Sequence, residues 1–147
     1  MAHFLSTVQP DIMLVSETKI NSDIKPQEFL PGNYSGHIRH DHSLFAGGVM
    51  IINKKDLVIE EIELEKHPHH DHIVWARSSL QNKSPLYIGA YCRSNSSNTA
   101  DTISGLKSSL EHITSLTKNN PKCTIVPRVE PRPPKINCSR CRAVLGA

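Results

Sequence analysis

The chain is poor in aromatic residues and has no long hydrophobic run. Aromatic side chains make up 5% of its 147 residues. No stretch approaches the roughly 20 apolar residues that a membrane-spanning helix needs. The N-terminal residues lack the basic start and the apolar stretch of about 7–15 residues that form a secretory signal. These absences predict an intracellular protein, nuclear or cytoplasmic, that has no membrane partner.

Cysteine and histidine are present in patterns that fall short of a complete metal site. The four cysteines are Cys92, Cys123, Cys138 and Cys141, and inside a cell we expect reduced thiols rather than a disulfide framework. Cys138 and Cys141 have the spacing of half a zinc site, which requires four ligands. The histidine-rich segment 67–72 has the donors to bind Zn²⁺, Ni²⁺ or Cu²⁺, although a solvated loop is the simpler interpretation.

Charge and proline are distributed unevenly. Residues 1–121 carry 11 Lys+Arg against 13 Asp+Glu, whereas residues 122–147 carry 6 against 1. The folded part therefore shows no basic stripe of the kind expected on a nucleic-acid-binding face. Several of the ten prolines lie near the end of the chain. We predict a partial globular domain over residues 1–126 and an irregular Pro/Arg-rich tail over residues 127–147.

Short apolar runs between turn residues predict an α/β protein. The runs indicate strands, and a helix ending near Gln9 is expected before the first of them. A long loop is expected over residues 21–42, which contain two prolines and two glycines. The predicted strands cover residues 11–15, 48–53, 57–64, 72–80, 85–92 and 123–126.

One long helix is predicted near the C-terminal end of the domain. Asn98 or Thr99 is a suitable N-cap, and the helix should run to about Thr117. Its apolar side chains recur every three or four residues and predict one stripe that packs on a sheet. The stripe comprises Ile103, Leu106, Leu110, Ile113 and Leu116.

Glu17 is the residue on which a functional interpretation depends. With Ser16 before it, Glu17 follows the apolar run from Ile12 to Val15, which has the pattern of a strand buried on both faces in a parallel sheet. Open α/β sheets hold their ligands just beyond the carboxyl ends of strands, so Glu17 is a candidate metal ligand. The alternative is a solvated loop residue.

Four segments in order resemble the endonuclease/exonuclease/phosphatase family, and within it the nuclease domain of LINE-type (non-LTR) retrotransposon polyproteins. They read PDIMLVSETKI, GGVMIINK, HIVWARSSL and LYIGAYCRSNSS, and a helix leading to KCTIV follows them. The resemblance implies two packed mixed sheets, a two-layer β-sandwich flanked by helices. It implies a hydrolase that nicks DNA with Mg²⁺, in which Glu17 is the catalytic metal ligand.

The chain departs from this family pattern at the other site positions. Cys92 occupies the place of the family's tyrosine and Tyr91 lies one position earlier, so strand alternation should turn Tyr91 to the opposite face. Arg93 follows and is a candidate phosphate-binding residue. By spacing, Glu130 occupies the place of a catalytic aspartate, but the prolines around it should prevent the strand and turn that would aim it.

Further family elements are expected to be missing at both ends, namely a first strand with a catalytic asparagine and a last segment with a general-base histidine. The fold is therefore expected to be incomplete. Two hypotheses remain open. In the first, the chain is a Mg²⁺-dependent endonuclease domain that acts on DNA and has lost most of its activity. In the second, it is a non-catalytic, transposon-derived remnant or binding module. Unpaired sheet edges would favour self-association.

Overall fold

Two β-sheets pack face to face, and helices cover their outer faces. The structure, a computed structural model, describes residues 1–41, 47–64, 72–79, 84–92 and 98–118, together with the backbone of residues 124–129. The elements, in chain order, are α1 (Ala2–Val8), β1 (Ile12–Ser16), β2 (Tyr34–His40), β3 (Val49–Lys54), β4 (Ile59–Ile62), β5 (Ile73–Ser78), β6 (Leu86–Tyr91), α2 (Thr99–Thr117) and β7 (Thr124–Val129).

The first sheet has the order β1-β3-β2 and the second the order β4-β5-β6-β7. In the first sheet both pairs are antiparallel. In the second sheet β4, β5 and β6 are antiparallel, and β7 joins β6 in parallel. The prediction of an α/β protein with two sheets and outer helices is confirmed at this level. Of the two sheets, only the second is mixed.

The alternation of side chains along each strand builds three apolar layers. In β3, Val49 and Ile51 face the second sheet, where they join Val74 and Ile88 in the layer between the sheets. Because a strand turns successive side chains to opposite faces, the intervening Met50 lies in the outer layer with Leu5 of α1. A third layer lies between the second sheet and α2.

β1 differs from its prediction in one respect. It is antiparallel to β3 rather than part of a parallel sheet. Its continuous apolar run reflects coverage of both faces, because Leu14 lies between the sheets while Met13 and Val15 lie under α1. A run buried on both faces therefore does not establish parallel pairing.

The predicted loop over residues 21–42 is wrong over much of its length. It contains a 3₁₀ turn, Pro26–Glu28, and all of β2. Tyr34 and Ile38 of β2 are buried, and an irregularity in the pairing lies between Ser35 and Ile38. This irregularity breaks the simple two-residue alternation on which a strand prediction depends.

β7 extends past Val126 to Val129, three residues into the segment that was expected to be irregular. Pro127 is paired with Gly89 of β6 within this strand. Proline is tolerated in an edge strand, because only one side of such a strand carries ladder hydrogen bonds. The expectation that the prolines would prevent a strand here was therefore wrong for residues 127–129.

α2 begins as predicted, and its buried face coincides with the predicted stripe in part. The side chain of its N-cap, Asn98, accepts a hydrogen bond from the Ala100 amide at 3.0 Å. Of the predicted stripe, Ile113 is fully buried, and Leu106 and Leu110 are partly buried against the same cluster. Ile103 is 59% exposed and Leu116 is 47% exposed. The other buried positions of α2 are the small or polar residues Thr102, Gly105, Ser109 and Thr117.

Candidate functional site

The polypeptide bends sharply where β1 ends. Glu17 has φ 54° and Lys19 has φ 52°, the left-handed region, and opposite them Gly47 and Gly48 have φ 79° and 88°. The amides of Thr18 and Lys19 donate to the carbonyls of Gly48 and Gly47 at 3.3 and 3.1 Å. A left-handed conformation costs a non-glycine residue about 1–3 kcal/mol. The surrounding hydrogen bonds therefore impose the bend at Glu17.

The Glu17 carboxylate is held on both of its oxygens. The Cys92 thiol donates to Oε1 with a sulfur to oxygen distance of 2.9 Å, and the Gly47 amide donates to Oε2 at 3.0 Å. Gly47 precedes the first sheet's β3, whereas Cys92 follows the second sheet's β6. The carboxylate therefore links the two sheets at one end of the sandwich.

Cys92 belongs to the apolar layer between the sheets and is 2% exposed. Its amide donates to the carbonyl of His72 at 2.9 Å. The thiol is thus buried at the end of the apolar layer, where its sulfur contacts the Glu17 carboxylate. Glu17 itself is largely exposed, so its carboxylate lies at the boundary between the core and solvent.

Histidine and a half-buried ion pair lie at the same end of the molecule. Val49 pairs with Ser16 on one side and with His40 on the other, so the end of β1 and His40 lie at the same level on opposite sides of β3. The His40 and His72 rings have centroids 6.0 Å apart. Neighbouring Arg39 contacts Asp41 at 3.0 Å, with side chains only 12% and 16% exposed. Polar groups from both sheets therefore meet at this end.

Glycine is required opposite the bend. A Cβ atom at Gly48 would collide with Oγ1 of Thr18, and its positive φ already disfavours other residues. Thr18 Oγ1 is buried and has no hydrogen-bond partner among the described residues. The Gly-Gly sequence thus permits the close approach of residues 17–19 that brings Glu17 to the Gly47 amide.

The remaining predicted site residues are not all brought to this end. Tyr91 is 5% exposed and packs with Trp75 and Ile113 in the layer under α2, on the face opposite to Cys92. This placement agrees with the expected alternation. Arg93 and Glu130 lie outside the described residues, as do Cys138, Cys141 and residues 67–71 of the histidine-rich segment.

The donor set around Glu17 supplies one hard oxygen ligand. Mg²⁺ prefers oxygen ligands and keeps several waters when one carboxylate holds it. The two groups that contact Glu17, a thiol and an amide N–H, are not Mg²⁺ ligands. Among the described residues no three His, Cys, Asp or Glu side chains are grouped so as to hold a metal ion. This part of the chain therefore fits at most a water-rich Mg²⁺ site.

Sequence reasoning missed several residues of this end. Arg39, His40 and Asp41 were not singled out. Gly47 and His72 were noted only as members of longer segments, without a link to Glu17 or Cys92. The Gly-Gly step was a usable signal, because it faces the residues after β1. The contribution of His40 depended on the β2–β3 pairing, which the sequence pattern did not show.

No protein-family model matches the chain, and a search of curated proteins finds no similar sequence. Within the described residues, neither helix is long and apolar enough to cross a membrane.

Proposed function

We propose that the chain is a domain derived from the Mg²⁺-dependent DNA endonucleases of LINE-type retrotransposons, with an endonuclease/exonuclease/phosphatase fold and a severely reduced ability to cleave phosphodiesters. The two-sheet architecture with outer helices supports the fold. The position of Glu17 at the end of β1, one residue beyond Ser16, supports the ancestry of the site.

The observation that carries the loss of activity is the contact between Cys92 and Glu17. The resemblance places a tyrosine at position 92, and a thiol lacks the reach of a phenol. Here the thiol is directed at Glu17 Oε1. A carboxylate oxygen can accept more than one hydrogen bond or ligand. Glu17 therefore retains some capacity for Mg²⁺, but among the described residues it belongs to no group of three His, Cys, Asp or Glu side chains that could hold a metal ion.

When bound, Mg²⁺ would polarise a phosphate and offset negative charge on a leaving oxygen. Glu17 would supply the protein oxygen, and water or phosphate oxygens would supply the other ligands. The bend at residues 17–19 orients the carboxylate toward Gly47 and Cys92. These residues position a ligand, but none of them is placed to activate a nucleophile.

Plasmid nicking tests the proposed activity. The purified chain, with its folding checked by circular dichroism, is incubated with supercoiled DNA and Mg²⁺, beside an EDTA control and the Glu17→Gln and Glu17→Ala variants. We expect the wild-type rate to equal that of both variants. EDTA-sensitive nicking that falls at least tenfold in Glu17→Gln would instead establish a working nuclease.

Metal binding is tested separately by an amide NMR titration with Mg²⁺. The Gly47 N–H reports on Glu17 directly, because it donates to Oε2. We expect its resonance to shift with Mg²⁺ in the wild type and to stay constant in Glu17→Gln. Equal shifts in both proteins would refute Glu17 as the metal ligand.

The non-catalytic alternative is favoured by the same Cys92–Glu17 bond, which gives Glu17 a structural role. Its test is DNA binding without cleavage, measured by fluorescence anisotropy with a labelled duplex in Mg²⁺ and in EDTA. Binding that is equal in both solutions and unchanged in Glu17→Gln would favour the binding module.

A further inference from the structure

β1 is an edge strand of the first sheet. In the part of the chain that the structure describes, β3 is the one strand paired with it. The Lys54 amide donates to the Asp11 carbonyl at 3.0 Å, so Asp11 directs its backbone groups to β3. In an antiparallel pair alternate residues do this. The backbone groups of Ile12, Leu14 and Ser16 therefore point away from β3.

Exposure along β1 agrees with this alternation. Met13 and Val15, whose backbone groups face β3, are 1% and 2% exposed. Leu14 is 6% exposed, and Ile12 and Ser16 are half-buried. The extra exposure thus falls on the three residues whose amides and carbonyls form the edge.

The other sheet edges carry features that discourage strand pairing. β4 is four residues long and exposes Glu60 and Glu61. β2 is irregular between Ser35 and Ile38 and has an arginine, and β7 contains Pro127. Short length, charge, bulges and proline are the recognised protections of an edge. The five residues of β1 have none of them, since their sequence is Ile-Met-Leu-Val-Ser.

We propose that a second copy of this chain pairs with β1 through its own β1, antiparallel about a two-fold axis at Leu14. In this register Leu14 lies opposite its counterpart, and Ile12 lies opposite Ser16 of the other copy. The backbone groups of these three residues on one copy face the backbone groups of the same three residues on the other. Every outward amide and carbonyl of the edge therefore gains a hydrogen-bond partner. This inference does not depend on the proposed function.

Packing favours this pairing, and charge opposes it at the two ends of the ladder, where like charges face each other. Leu14 and Ile12 belong to the layer between the sheets, so two copies would continue one apolar layer across the axis. No charged side chain lies within the ladder itself. At its ends Asp11 faces Glu17 of the other copy, but Asp11 contacts Lys54 at 2.8 Å in its own copy, and Glu17 is held by Gly47 and Cys92.

The interface is tested by sedimentation velocity over roughly 1–500 µM protein, the range that brackets a micromolar dissociation constant. Ile12→Pro removes an amide that points away from β3, at the first position of the strand where proline is tolerated. Ile12→Ala is the matched control, because it also shortens the side chain but keeps the amide. We expect Ile12→Pro to weaken dimerisation about tenfold or more relative to Ile12→Ala, because two hydrogen bonds are lost per dimer.

Hydrogen exchange resolves the register. In the dimer the amides of Ile12, Leu14 and Ser16 should become protected as concentration rises, whereas those of Met13 and Val15 should not change. A chain that stays monomeric over the whole range overturns the proposal. So does a dimer that Ile12→Pro leaves intact, or one that gains no protection at these three amides.

Discussion

The sulfur of Cys92 lies 2.9 Å from Oε1 of Glu17, although 75 positions separate the two residues in the chain. The contact joins the ends of strands from different sheets. The contact also gives the Glu17 carboxylate, a candidate catalytic group, a structural role. The first prediction follows from this contact.

Replacing Cys92 should reduce stability according to what the new side chain can donate. Cys92→Ala removes the donor to Glu17 and leaves a small void in the inter-sheet layer, so we expect a loss of about 1–3 kcal/mol. Cys92→Ser keeps a donor of similar size and should cost less than Cys92→Ala. Urea unfolding provides the measurement.

A double-mutant cycle isolates the bond itself. With Glu17→Leu as the second change, the coupling free energy between positions 17 and 92 should be about 0.5–1.5 kcal/mol. A coupling of zero would show that Cys92 acts through packing alone.

Gly89 should tolerate no side chain. A Cβ atom there would come within 2.7 to 2.8 Å of three Trp75 ring atoms, and Trp75 is itself 1% exposed and fixed in the core. We expect Gly89→Ala to destabilise the fold by about 1–3 kcal/mol because of overpacking. Gly32→Ala is the control, since nothing lies within 4 Å of a Cβ at Gly32. Equal melting temperatures for the two variants would contradict this account.

Two isoleucines of α2 should differ sharply when each is shortened. Ile113 is fully buried against the second sheet, so Ile113→Ala should cost about 2–5 kcal/mol. Ile103 is 59% exposed, and Ile103→Ala should change the free energy of unfolding by no more than about 0.5 kcal/mol. Losses of similar size at the two positions in chemical denaturation would contradict this account and would restore the stripe that the sequence pattern predicted.

Tyr34 should make the fold sensitive to alkaline pH. Burial raises the pKa of its phenol above the usual 10.0, although Lys54 partly offsets this. The folded form therefore keeps its proton while the unfolded form loses it. The contribution to stability is complete below pH 10 and declines as the pH rises through the higher folded pKa.

Tyr34→Phe separates this effect from the rest of the protein. The variant loses the 2.9 Å hydrogen bond to the Pro10 carbonyl and should be about 1 kcal/mol less stable at pH 8. The difference from the wild type should shrink above pH 10. A difference in the free energy of unfolding between Tyr34→Phe and the wild type that stays constant from pH 8 to 11 would contradict this prediction. It would show that the pKa of Tyr34 is the same in the folded and unfolded forms.

The strands with unbroken apolar runs were predicted well. β1, β3, β5 and β6 each begin and end within two residues of the expected positions, because these strands are covered on both faces and their composition alone reveals it. α2 was equally clear, since its cap and its helical spacing are local features. β2 was missed because Gly36 and His37 interrupt its alternation at the irregular pair.

Long-range pairing decided what local patterns could not. The apolar spacing on α2 predicted a helix but not its exact rotation. Ile113, Leu106 and Leu110 pack with Trp75 and Tyr91 as the spacing suggests, but the buried face also includes the small residues Gly105 and Ser109. In the same way, Glu17 was identified as a strand-end carboxylate without any indication of its partners.

The sequence by itself therefore determined most of the elements and the position of Glu17 at a strand end, because each depends on residues close together in the chain. Only the tertiary structure decided that β1 is an antiparallel edge, that α2 presents Ile103 to solvent, and that Cys92 donates to Glu17. These relationships depend on strand register and on contacts between distant segments. A hydrophobic pattern records whether a residue is buried, but not what it is buried against.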